Sequence, residues 1–186
     1  MERKQAWEIV QAHVQGIALR RHMLAVEAAM RSYADFFGED VETWGLAGLL
    51  HDYDWEIHPT LEQHPQDGVD FLRSQHVPEN VIRCILSHAD HTGVLRLSLM
   101  DKALYACDEL TGLITAVALI RPSRSLADLK VKSVRKKWKD LRFAAAIDRR
   151  AIEDGAAQLG IDLWQHVGIV IEAMNRIAPE LGLDGT

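Results

Sequence analysis

Apolar residues recur at helical spacing along nearly the whole chain, and no run of alternating β-branched residues bounded by turns interrupts them. The pattern predicts an all-α fold. A first helix is expected over about Lys4 to Val14, and a second over about Ala18 to Phe37, closed by Gly38 as a C-terminal cap. A third begins near Asp40, a suitable N-cap, and carries Val41, Trp44, Leu46, Leu49 and Leu50 towards the doublet His51-Asp52. From Tyr53 to Pro65 the period is lost; His58 and His64 each precede a proline, which biases them away from helical backbone. Helices resume over about Gln66 to Gln75 and Pro78 to His88, with Pro78 suited to a first helical position. A long central helix starts at Ser98, with Asp101 completing a capping-box-like pair, and runs to about Ile120. Beyond Arg121-Pro122 the pattern gives a Ser125-capped turn and a basic helix from about Val131 to Trp138. A helix from Asp148 to Leu159 follows, stopped by Gly160, and a last helix opens at Asp162 and continues through Ala178.

The third helix ends on chemistry. In Gly48-Leu49-Leu50-His51-Asp52-Tyr53-Asp54-Trp55 an apolar run finishes on an imidazole and a carboxylate, whose desolvation has to be offset, and a metal ion would offset it. Adjacent helical residues point about 100° apart, so both side chains meet one ion most easily at a helix end, where the next residues are free to turn. Asp108 poses the same problem inside the apolar run Ala103-Leu104-Tyr105-Ala106-Cys107. His22 lies within a helical pattern, and His64 and His88 follow the doublet. A single histidine in an amphipathic helix is more often a hydrogen-bonded core residue than a ligand, so the weight falls on the ordered set.

Read in order, that set is His22, His51-Asp52, His64, His88, Asp108. It resembles the HD superfamily of metal-dependent phosphohydrolases, with its small stand-alone HDIG-type members as the nearest likeness, over most of the chain from His22 onward. The resemblance implies a helical bundle in which His22, His51, Asp52 and Asp108 hold one metal, while His64 and His88 hold a second with Asp52 bridging. Two ions would clamp a substrate oxygen and acidify a bridging water for attack on phosphorus. A His/Asp set without thiolate accepts Mn, Fe, Zn, Co, Ni or Mg and does not choose among them. The chain departs from the HDIGK pattern by placing Asp54 and Trp55 where that pattern has glycine and lysine, so a lysine for the substrate phosphate is missing. Asp54 and Glu56 are candidates for an outer-shell orienter or proton carrier, a solvated acidic loop being the plainer reading. His91 is a weaker alternative ligand; His13, His58, His76 and His166 read as ordinary surface or core residues.

Composition narrows the picture further. With 186 residues, 48% hydrophobic and 26% charged, and no Pro/Gly/Ser-rich linker or repeat, the chain reads as one domain. The metal-site core is expected over about 18–120, with the basic segment and C-terminal helices over 121–186. No stretch reaches the roughly 18–20 apolar residues of a membrane span, and no apolar signal region follows Met1 to Gln5, so a cytoplasmic location is expected. Cys84 and Cys107 sit in apolar helical patterns without CxxC spacing and read as buried thiols. Trp44, Trp55, Trp138 and Trp164 are too widely spaced for a stacking platform, and nothing resembles a nucleic-acid reading module.

The net charge of −6 hides an asymmetry: residues 121–150 carry eleven Lys/Arg against three acids, a local +8 that leaves −14 for the rest. One reading is a solvated helix face. The sharper one makes up for the missing lysine by placing at least one of Lys132, Lys136 and Lys139 in the substrate pocket. The expected function is hydrolysis of a phosphate ester or anhydride in a small molecule, with a nucleotide as the class implied by the resemblance. Two rivals are an HD-type di-iron oxygenase built on the same six ligands and a non-catalytic metal- or nucleotide-binding regulatory domain.

Overall fold

The computed structural model describes residues 1–185. Its helices are α1 (Arg3–His13), α2 (Ile17–Phe37), α3 (Val41–Leu50), α4 (Val69–Ser74), α5 (Glu79–His88), α6 (Leu99–Leu119), α7 (Val131–Trp138), α8 (Arg149–Leu159), α9 (Leu163–Asn175) and α10 (Ala178–Leu181). Among the described residues there is no strand, only an isolated antiparallel bridge between Ser125 and Asp184. No described helix is long and apolar enough to cross a membrane.

The two 21-residue helices, α2 and α6, pack on each other and form the axis of the bundle. Around them α3 and α9 lie on α2, while α5 and α8 lie on α6. Helix α6 buries Leu104, Cys107, Leu110, Leu113, Ile114 and Val117, which at 100° per residue fall on one half of its circumference and leave the half that carries Asp108 and Gly112 less buried. Contact between α2 and α3 is close because Gly48 carries no side chain: a Cβ there would stand 2.9 Å from the Glu27 backbone. Buried Glu27 accepts from Arg3 and Arg31, and Arg31 also binds Glu42, so a single carboxylate helps lock α1, α2 and α3 together. The α2–α3 packing fixes where α3 ends, and α3 ends at His51.

Local signals explain most boundaries. Asp40, Asp148 and Asp162 cap α3, α8 and α9 through their side chains, Ser98 and Asp101 form a reciprocal box at α6, and Gly38 and Gly160 close their helices at φ 72° and 70°. Three expectations need correction. Pro78 lies outside α5 as its N-cap, with extended ψ of 139°, rather than at the first helical position. Residues 66–68 form a 3₁₀ turn before α4 instead of its first turn. The last helix breaks after Asn175, because Pro179 has no N–H to continue the ladder, and restarts as α10.

Candidate metal centre

His51 and Asp52 emerge where α3 gives way to turns, as the geometry of adjacent residues demands. Helix α2 brings His22, α5 brings His88, α6 brings Asp108, and the irregular stretch 53–65 brings His64. Six side chains from five stretches converge as two groups, His22/His51/Asp108 and Asp52/His64/His88, with the candidate ligand atoms of each within 4.8 Å of one another.

In the first group, His22 Nε2 stands 3.0 Å from Asp108 Oδ1 and 3.3 Å from His51 Nε2. In the second, Asp52 Oδ1 stands 3.3 Å from His64 Nε2 and 3.7 Å from His88 Nε2. Asp52 joins the two groups, because its other oxygen, Oδ2, faces His51 Nε2 at 3.4 Å and His22 Nε2 at 3.8 Å.

The second nitrogen of every ring is occupied. His51 Nδ1 donates to Gly48 O at 2.9 Å, and His88 Nδ1 to Ile85 O at 2.5 Å. His64 Nδ1 donates to Asp54 Oδ1 at 2.8 Å. His22 Nδ1 meets the Thr111 hydroxyl, whose own proton goes to Asp108 O at 2.8 Å, so the hydroxyl accepts from the ring. With protons on all four Nδ1 atoms, each imidazole in its neutral form would present its Nε2 lone pair to the same space. His22 Nε2 and His51 Nε2, 3.3 Å apart beside two carboxylates, form a donor set that a divalent cation fits.

The electrostatics agree. Burial pushes the Asp52 and Asp108 carboxyls upward, but the surrounding imidazoles outweigh it and hold both below the usual carboxylate range. Burial opposes protonation of His51 as well, yet Asp52 and Asp108 hold its pKa well above the ordinary value. For His64, hydrogen bonds to Asp52 and Asp54 overcome burial and bring its pKa up to about 9, whereas burial and neighbouring His51 push His88 down. Negative charge here demands a cation or shared protons, and an ion would displace the protons.

The site opens into a cavity of about 420 Å³ lined by ligands together with Trp55, Leu61, His91, Glu109 and Gly112. A larger hollow of about 510 Å³ lies at Asp40, Arg83 and Asp101, but its buried Asp101 is already satisfied by Arg83 and the Leu97 and Ser98 amides. The metal chemistry belongs to the smaller cavity.

Other residues fall unevenly. Asp54 is buried and orients His64, while Glu56 is exposed and outside the cavity, accepting from the Gln15 and Gly16 amides at 2.6 and 2.9 Å. It ties the loop to the start of α2 rather than reaching the ligands. Lys132, Lys136 and Lys139 are exposed and none lines the cavity. Their helix is anchored by Val134 in the core and by Arg135 over the Trp164 ring of α9. His91 donates from Nε2 to His64 O at 2.7 Å, so that nitrogen steadies the loop instead of binding an ion. Thr111 and Glu109 were not singled out for the site by sequence reasoning, although both stand within one turn of Asp108 on α6.

The HD domain family model matches residues 19–113, just over half of the 186. No curated protein and no solved structure matches. The matched span contains all six converging ligands. Ordered ligands, paired groups and family match together place the chain in the HD domain family, within the superfamily of metal-dependent phosphohydrolases.

Proposed function

We propose that the protein hydrolyses a phosphate ester or anhydride of a small molecule using two divalent ions, with nucleotides as the first substrate class to test. The observation that carries this reading is Asp52, whose two oxygens face different His-containing groups and so suit a bridge between neighbouring ions. His22, His51 and Asp108 would complete one ion's protein ligands; His64 and His88 would complete the other's. Bound ions would supply Lewis acidity towards a phosphoryl oxygen and a water. The chain's own residues prepare the site. Gly48 O, Ile85 O, Thr111 and Asp54 hold the four imidazoles in one tautomer, and Trp55, 4.9 Å from the His64 ring in an edge-on contact, walls the cavity. Nucleotides enter through the family likeness alone.

Metal analysis of protein purified without added metal, followed by a phosphatase screen over nucleotides with Mn or Mg, tests the proposal. Close to two ions per chain with released phosphate is expected. Iron accompanied by an oxygen-dependent spectral change would replace hydrolysis with the di-iron oxygenase reading, for which the same six ligands suffice. Tight nucleotide binding without turnover would make the domain regulatory.

A further inference from the structure

The cleft does not stop at the metal ligands. On α6, Asp108, Gly112, Thr115 and Leu119 follow one another at spacings of four, three and four, which places them on a single stripe. On α2, Ala18, Arg21 and His22 face that stripe, and together with Leu181 and Leu183 these residues line a second cavity of about 160 Å³. His22 and Gly112 line both cavities, so the second adjoins the metal centre at these two residues.

The two lobes differ in chemistry. Imidazoles and carboxylates crowd the first, whereas Ala18, Gly112, Leu119, Leu181 and Leu183 offer the second only carbon. Thr115 and Arg21 are its polar side chains apart from His22, too few to read a ring's hydrogen-bonding edge. An apolar cavity of about 150 Å³ accepts a benzene ring, so one aromatic ring matches the slot in volume. Arg21 adds a guanidinium, a group that favours the face of a ring.

Resting on the phosphohydrolase reading, we propose that the slot between α2 and α6 is the leaving-group subsite, and that it takes an aromatic ring on the alcohol side of the phosphate ester. Recognition there is by apolar contact, so different rings of similar size are accepted. Gly112 sits where the two lobes adjoin. A Cβ at this position would meet only Ile147 Cδ1, at 3.4 Å, so a side chain can start there without striking backbone.

The test is calorimetric titration of Mn-loaded protein with benzylphosphonate and methylphosphonate, neither of which is turned over. Parent protein is expected to bind benzylphosphonate at least about tenfold more tightly, from burial of the ring. In Gly112→Leu that preference should fall to about twofold or less, with metal content at the parent level as the check on folding. Trp55→Ala should keep it. Equal affinity for the two phosphonates in the parent overturns the subsite, as does a preference that survives Gly112→Leu or disappears in Trp55→Ala. Binding of neither compound overturns the phosphate site on which the proposal rests, a result distinct from equal binding of both.

Discussion

Asp52 carries more of the site than any other side chain, because each of its oxygens serves a different group of imidazoles. A mutation there differs in kind from one at His88. Asp52→Asn is expected to lower occupancy at both positions, since the amide keeps the shape but loses the charge and one acceptor. His88→Ala should empty mainly the second, leaving close to one ion per chain. Elemental analysis of the two variants after gel filtration decides it; equal stoichiometries would end the bridging role. At this scale the ligands were legible as an ordered set, whereas Asp54 and Glu56 carried the same two readings, an orienter or a solvated acidic loop, and only the fold buries Asp54 beside His64. Glu56 was not legible: only the folded loop shows that its carboxylate meets the amides of residues 15 and 16. Through-space partners of this kind leave no periodic trace in the chain.

Elements were read more easily than their surroundings. Capping side chains and glycines mark the ends of α2, α3, α6, α8 and α9, and those signals are local. What surrounds a helix is not local, and His166 is the clearest case. It is fully buried on α9, donates from Nε2 to Ala106 O of α6 at 2.9 Å, and accepts at Nδ1 from Tyr33 of α2 at 2.5 Å. Burial lowers its pKa from 6.5 to about 4. The unfolded chain therefore binds a proton below about pH 6.5 that the folded chain refuses until about pH 4. Stability is fully present above that window and falls through it, by up to about 3 kcal/mol at 1.36 kcal/mol per pKa unit. Urea unfolding of the metal-free protein at pH 7 and pH 4.5 should show this loss, and His166→Gln should reduce it. The basic helix gives the opposite lesson: its charge pattern was plain, but the sequence did not tell which neighbour it would face. With Lys132, Lys136 and Lys139 exposed and away from the cavity, alanine at all three should change kcat/KM on a phosphate substrate by less than about twofold at 0.15 M salt, where a Debye length of about 8 Å screens distant charge. A larger loss in steady-state assays would return the patch to the substrate.

Across the whole molecule, the six ligands come from α2, the exit of α3, the loop after it, α5 and α6, so they are spread from residue 22 to residue 108. Each bound ion is in effect a cross-link that closes long loops of chain, whose ends must find one another before it can form. Metal is then expected to act on the way out of the native state and not on the way in: the unfolding rate should fall as metal concentration rises, while refolding should scarcely respond. Stopped-flow measurements in guanidinium, with and without chelator, separate these limbs, and a refolding limb that accelerates with metal would mean that the ions gather the helices early. If unfolding alone responds, the ions set the protein's lifetime as well as its chemistry, and a chain that loses them at one of its six ligands becomes short-lived before it becomes unfolded at equilibrium.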